Sequence, residues 1–224
     1  MVERASTTEQ VLTELRDAIV DGRIPQGEQL REVRLARELG TGRSAVREAI
    51  RQLVQEGLVD HEPHRGSLVR VVSLADYPDV YGAREVIEAG AARRLLERDE
   101  PIDTAPLREA LDQLRKALPA DGHLTDDAIA ADVRFHQELV RLCGSPRLTR
   151  AHDTLAAETR LLLRHHPMYP ATDYVSDHER LLDALERRDP RTPELFAQHL
   201  RLSADLIGDE LARETGASEE RPVA

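Results

Sequence analysis

One stretch restricts the fold more than any other: Leu35-Ala36-Arg37-Glu38-Leu39-Gly40-Thr41-Gly42-Arg43-Ser44-Ala45-Val46-Arg47-Glu48-Ala49-Ile50. Leu35, Ala36 and Leu39 share one helical face. Gly40 and Gly42 interrupt it, and glycine tolerates the left-handed backbone that ends a helix. Beyond them Val46, Ala49, Ile50 and Leu53 recur at i, i+3, i+4 and i+7, which is the apolar stripe of a second helix. Arg43, Arg47 and Arg51 repeat every fourth residue and form a basic stripe beside it. Helix, glycine turn and arginine-bearing helix together present a helix to the DNA major groove. A plain helical hairpin with a solvated charged face has the same pattern, so the flanking residues decide.

Upstream, a helix is expected from Thr7 or Thr8, either of which can cap it. Val11, Leu12, Leu15, Ala18 and Ile19 form its apolar stripe, and Gly22 ends it. Ile24-Pro25-Gln26-Gly27 reads as a turn. The helix-turn-helix then spans about Arg31 to Gly57. Downstream, Leu58–Glu62 and Ser67–Val71 read as two short strands around the turn Pro63-His64-Arg65-Gly66. A hairpin directly after a helix-turn-helix is a wing. Arg65 at its tip can reach phosphate or the minor groove, and Gly66 permits the tight turn. Arginines on both reading elements favour DNA binding over a hairpin that only closes a core.

The net charge of −11 at first opposes that reading, but it is unevenly spread. Residues 1–72 carry 11 Lys+Arg against 12 Asp+Glu, whereas residues 73–224 carry 20 against 30. Phosphate contacts depend on the local patch and not on the total. The single cysteine, Cys143, excludes an internal disulfide and fits a reducing cytosol. No apolar run is long enough to span a bilayer and no secretion signal is visible, so a cytoplasmic protein without membrane contact is expected.

The segment GRIPQGEQLREVRLARELGTGRSAVREAIRQLVQEGLVDHEPHRGSLV resembles the winged-helix domain of GntR-type bacterial transcription regulators over residues 7–72. The resemblance implies DNA contacts from an arginine early in the second helix, from the start of the third helix and from the wing tip. The matching positions are Arg34, Arg43, Ser44, Arg47, Arg65 and Gly66. Gly42 stands where the family commonly has a hydroxyl residue, and Ala45 where it often has proline.

From Ser73 no strand pattern appears. Six helices are expected, at about 76–99, 104–118, 124–143, 146–166, 172–188 and 193–215, with prolines at or near the breaks. The fold class is therefore mainly α: a winged helix-turn-helix in residues 1–72, an all-helical effector domain in 73–216 and a flexible tail in 217–224.

Ionisable residues interrupt the apolar stripes of the second half. Asp132 and His136 lie among Ile129, Val133, Leu139, Val140 and Cys143; His178 lies among Val175, Leu181, Leu182 and Leu185; His199 lies among Leu195, Leu202, Leu206 and Ile207. Buried without partners, each would cost about 1–3 kcal/mol. One divalent cation accounts for all four, and three imidazoles with one carboxylate suit zinc first, with nickel or manganese as alternatives. His152 is a spare candidate near an apolar face. His61, His64, His123, His165 and His166 read as surface or loop residues.

Asp132-Val133-Arg134-Phe135-His136, Asp177-His178 through Leu185, and His199-Leu200 resemble the FCD ligand-binding domain of the FadR subfamily. Many members hold a metal with one aspartate and three histidines and sense small organic acids. Tyr81 to Glu88 matches that domain's first helix, which makes Arg84 a candidate clamp for the effector carboxylate; a simple Arg84–Glu88 pair is the alternative. Gly144-Ser145-Pro146 replaces a commoner Gly-Asn-Pro.

The expected function is a DNA-binding regulator, a repressor, whose operator affinity is set by a small carboxylate bound at a metal. A homodimer on a palindromic operator fits the two-fold geometry of such readers. The rival is a metal-dependent hydrolase fused to a DNA-binding module, disfavoured because no general base stands at fixed spacing beside the ligands. A purely structural metal is the third reading.

Overall fold

A computed structural model describes residues 6–119, 124–165 and 171–219. The chain divides into two compact units, Met1–Val72 and Ser73–Ala224.

In the first unit, α1 (Thr7–Val20) is capped by Ser6 and not by Thr7 or Thr8. The Ser6 hydroxyl accepts from the Glu9 backbone N–H while the Glu9 carboxylate accepts from the Ser6 N–H, a reciprocal capping box. Its stripe Val11, Leu12, Leu15, Ala18 and Ile19 is buried and packs on α3 (Arg43–Gln55). From α3 the residues Val46, Ala49, Ile50 and Leu53 close the same core. Between them lies the short α2 (Glu32–Glu38), and Gly40 at φ +61° makes the turn toward α3. Gly42 is the N-cap of α3 and has no side chain to cap it.

The wing is an antiparallel pair, β1 (Val59–Glu62) and β2 (Gly66–Val69), with Val59 opposite Val69. Gly66 has φ +80°, and His64 takes φ +68° in the turn. Residues 27–30 are more than the turn expected from Pro25 and Gly27. They run along β2, with Gln29 bridged to Leu68 and backbone hydrogen bonds Gly27 N–H to Val69 O, Val69 N–H to Glu28 O and Leu30 N–H to Ser67 O.

The second unit is helical throughout its described residues, opening on a single 3₁₀ turn, Leu74–Asp76. Its helices are α4 (Tyr77–Leu96), α5 (Ala105–Ala117), α6 (Asp126–Leu142), α7 (Pro146–His165), α8 (Ala171–Glu186) and α9 (Thr192–Glu219). All six expected helices are found within a few residues of their expected ends. The last continues past Gly216 to Glu219, and residues 220–224 lie outside the described residues. Helix α6 packs against α4, α5 and α7, and α4 packs along α9. Phe135, Leu139, Val140, Leu114, Leu185 and Phe196 form the centre of the core. One expected core position is wrong: Leu202 is 52% exposed, and α9 buries Phe196, Ala197, Leu200 and Ser203 instead. The side chains of Leu206 and Ile207 lie outside the described residues. No helix of the described residues is long and apolar enough to cross a membrane.

Candidate functional site

The first unit displays its arginines on exposed surface. Arg43 and Ser44 open α3 and are exposed. Arg47, one turn on, is held side-on by Glu32 at the start of α2, with Nε to Oε1 at 2.9 Å and Nη2 to Oε2 at 2.7 Å. Arg34 pairs with Glu28 at 2.9 Å and more loosely with Glu38 at 3.8 Å. At the wing tip Arg65 reaches Glu62 at 2.6 Å, and its carbonyl accepts from the Gln29 side chain. His61 and His64 are exposed, as expected, whereas His123, His166 and the side chain of His165 lie outside the described residues.

The second unit brings three of the stripe-breaking residues, the histidines, into one cluster, with Asp132 beside two of them. Ligand nitrogens of His136, His178 and His199 all lie within 4.8 Å of one another. Asp132 Oδ1 is 2.9 Å from His178 Nε2 and 3.9 Å from His136 Nε2. Asp132, His136 and His178 are buried, and His199 is partly so.

Hydrogen-bond chemistry fixes which ring nitrogen faces inward. His136 Nδ1 lies 2.6 Å from Glu88 Oε2. Burial alone would raise the Glu88 carboxyl, but the charge of Arg84 and the hydrogen bonds from His136 and His152 hold it well below the usual carboxylate range. A carboxylate only accepts, so His136 carries its proton on Nδ1. Burial keeps that ring neutral by depressing its pKa, against the pull of Glu88. Its Nε2 lone pair therefore points toward His178 Nε2, 3.3 Å away. His178 Nδ1 in turn donates to the Tyr174 carbonyl at 2.7 Å. In its neutral form it too turns a lone pair inward, at the Asp132 carboxylate. Three acceptor atoms thus converge, and a proton or a metal ion must lie among them. The proton alternative is visible in His178, whose pKa burial would lower but the hydrogen bond and charge of Asp132 raise. His199 stays neutral, depressed first by burial and then by the neighbouring imidazoles.

Glu88, which the sequence offers only as an i,i+4 partner for Arg84, organises this centre. Fully buried, it accepts from Arg84 Nε at 2.9 Å, from His152 Nε2 at 2.9 Å and from His136. The i,i+4 alternative for Arg84 is therefore present, and His152 serves Glu88 and not the cluster. Arg84 also packs over the Tyr81 ring at 5.0 Å. With Tyr81, Asp132, His136, Tyr174, His199, Leu200 and Ser203 it lines a small, mostly buried recess.

A winged helix-turn-helix unit with arginines on both reading elements, followed by a separate helical unit with a buried histidine centre, is the architecture of a DNA-binding protein with a second, helical domain. Residues 7–69 match the model of "Bacterial regulatory proteins, gntR family", and residues 79–202 match that of the FCD domain. The "Probable D-xylose utilization operon transcriptional repressor" of Paenarthrobacter nicotinovorans is 31% identical over 194 residues, 84% of each chain. The gluconate operon transcriptional repressor of Bacillus subtilis is 27% identical, over 94% of this chain and 87% of its own. A GntR regulator from Rhodococcus sp. RHA1 has a similar solved structure, with TM-score 0.76 and 28% identity, covering 91% of this chain and 98% of that one. The protein belongs to the GntR family of transcriptional regulators, those with an FCD domain, and these are regulators and not enzymes.

Proposed function

We propose that this protein is a cytoplasmic transcriptional repressor whose operator affinity is controlled by a small organic acid bound at a divalent metal. Residues 1–72 read DNA and residues 73–216 sense the effector. Two copies place two recognition helices on a palindromic operator. Arg43, Ser44 and Arg47 enter the major groove; Arg34, Arg65 and Gly66 contact the flanking backbone or minor groove.

The observation that carries the sensing half is the convergence of acceptor atoms at Asp132, His136, His178 and His199, with two inward lone pairs set by outward hydrogen bonds. That donor set fits one first-row divalent ion, zinc first and nickel or manganese next. Such a metal would supply a Lewis-acid site for a carboxylate. Arg84, on the wall of the same recess, offers a guanidinium for that carboxylate. Repression is supported by the names of the two relatives, a probable transcriptional repressor of a D-xylose utilization operon and the gluconate operon transcriptional repressor. Effector binding acts only through unequal affinity for the DNA-competent and DNA-incompetent states.

The test is elemental analysis of untagged protein, then titration of operator DNA with a panel of small carboxylic acids, for wild type and His178→Ala. Wild type is expected to hold one metal per chain and to change operator affinity with at least one acid. His178→Ala is expected to lose metal and the response while still binding DNA. A protein that cannot be loaded with metal has a hydrogen-bonded core cluster instead. A loaded protein that no acid affects has a structural metal.

A further inference from the structure

Glu32 is the least expected residue on the DNA-reading surface, since a carboxylate there repels phosphate. It is the first residue of α2, and both its oxygens are engaged by Arg47 of α3, through Nε at 2.9 Å and Nη2 at 2.7 Å. Both partners are accessible, Arg47 at 57% and Glu32 at 33%. An exposed pair of this kind contributes little to stability. A stabilising role is therefore a poor account of it.

The geometry of the pair gives a better one. A guanidinium has two edges that can each make two parallel hydrogen bonds. Glu32 takes the edge formed by Nε and Nη2, which leaves the outer edge of Nη1 and Nη2. That edge matches the O6 and N7 acceptors of guanine in the major groove. A side chain with both edges free turns as readily to the nearest phosphate, which carries no sequence information. Arg43 and Arg51 stand one turn to either side of Arg47 on α3, and both act electrostatically on the Glu32 carboxylate, which Arg47 above all holds below its usual pKa. The reading surface thus has positive charge for backbone contacts without spending Arg47 on them.

We infer that Glu32 is a specificity-determining residue: it aims the outer edge of Arg47 at a base and keeps that guanidinium off the phosphates. The inference rests on the proposal that Arg47 enters the major groove. Removing the carboxylate should raise affinity for arbitrary DNA and lower discrimination.

The experiment uses full-length protein and two duplexes, one selected on the wild type from a random-sequence pool and one with the same composition scrambled. Fluorescence anisotropy gives Kd for each at several salt concentrations. Glu32→Gln is expected to bind the scrambled duplex more tightly, with a salt slope steeper by about 1, and to lose about tenfold in the ratio of the two affinities, within the range of one bidentate base contact. Glu32→Asp keeps the charge and should retain part of the ratio. In an Arg47→Ala background Glu32→Gln should leave the ratio unchanged. Equal shifts on both duplexes, or a loss of ratio that persists without Arg47, overturn the inference while leaving DNA reading by α3 intact. If Arg47→Ala alone keeps full discrimination, Arg47 does not read a base, and this inference falls together with the placement of Arg47 in the major groove.

Discussion

Glu88 on α4 and His136 on α6 meet through a 2.6 Å hydrogen bond from Nδ1 to Oε2, and that bond decides what His136 can do. With its outer nitrogen protonated, the inner one is left as a lone pair. A partner of this kind orients a metal-ligating imidazole, and its loss typically lowers metal affinity 10- to 100-fold.

Glu88→Gln should therefore keep the packing of α4 but lower metal affinity by roughly 10- to 100-fold. Both variants remove the carboxylate that pairs with the buried Arg84 cation, a loss of about 3–5 kcal/mol, and Glu88→Ala should do worse because it also removes the hydrogen-bond acceptor and leaves a void. Chelator competition and urea unfolding measure the two effects separately. Unchanged metal affinity in Glu88→Gln would remove Glu88 from the site.

Phe135 couples the apolar core to the same centre. Its ring is fully buried, edge-on to His136 at 5.5 Å and to His178 at 5.0 Å, and it stacks on Phe196 at 6.4 Å. Phe135→Ala is expected to destabilise by about 3–5 kcal/mol and to lower metal affinity as well, since two imidazoles lose the wall that seats them. Phe135→Leu should recover most of the stability. A Phe135→Ala protein that unfolds more easily but binds metal as tightly as wild type would contradict this coupling.

Acid should weaken the metal-free protein in two stages. His136 and His199 have folded pKa values below the usual one, so their stabilising contribution is complete above about pH 6.5 and is lost as pH falls through that region. Glu88 and Asp132 are also depressed; for Asp132 burial pushes up but the bond and charge of His178 prevail. Their contribution persists to about pH 4 and is lost below it. His178 has the opposite sign: raised in the fold, it stabilises below the usual histidine value and loses that contribution as pH rises through its folded pKa. Urea midpoints of chelated protein should fall from about pH 8 to pH 5 and again below pH 4, with His199→Gln flattening the first step. A midpoint that climbs on acidification would reverse the assignment. Metal binding near neutral pH should release a proton from His178, measurable by calorimetry in buffers of different ionisation enthalpy.

DNA affinity should depend on the reading elements in distinguishable ways. Arg43→Ala should abolish preference for the selected duplex. Arg65→Ala should weaken all sequences alike, as expected of phosphate or minor-groove contact. Arg65 already has Glu62 at 2.6 Å, so part of its binding energy is offset by breaking that pair. Gel shifts at fixed salt decide the point; an Arg43→Ala protein with full sequence preference would take the start of α3 out of the groove.

Light scattering should find a homodimer. One winged unit gives a small interface with DNA and limited affinity. A monomer both alone and on operator DNA would contradict the two-fold reading.

The histidines were legible because α6 and α8 have strong apolar periodicity, so a polar residue on the stripe is conspicuous. Glu88 was not. Helix α4 is rich in small and apolar residues on several faces, and Arg84 with Glu88 looks like a solvent pair at i,i+4. What buries both is the packing of α6, α7 and α9 on α4, a tertiary fact with no local signal. The exposure of Leu202 has a related cause. Along α9, His199, Leu202 and Leu206 share a face by spacing, but the buried face passes through Phe196, Leu200 and Ser203. Ser6, Thr7 and Thr8 stand in a row, and only the capping box with Glu9 distinguishes Ser6 as the cap.

The strip of backbone at residues 27–30 bears on the mechanics of the wing. A lone two-stranded hairpin is at best marginally stable in water and would swing about its base. Here Gly27, Glu28 and Leu30 stitch β2 to the segment leading into α2, and the Gln29 amide grips the Arg65 carbonyl at the tip. The wing is thus a cantilever braced from below, and the segment between α1 and α2 sets its angle. Lengthening that segment by one residue would shift Gln29 out of register and free the tip without touching any residue that faces DNA.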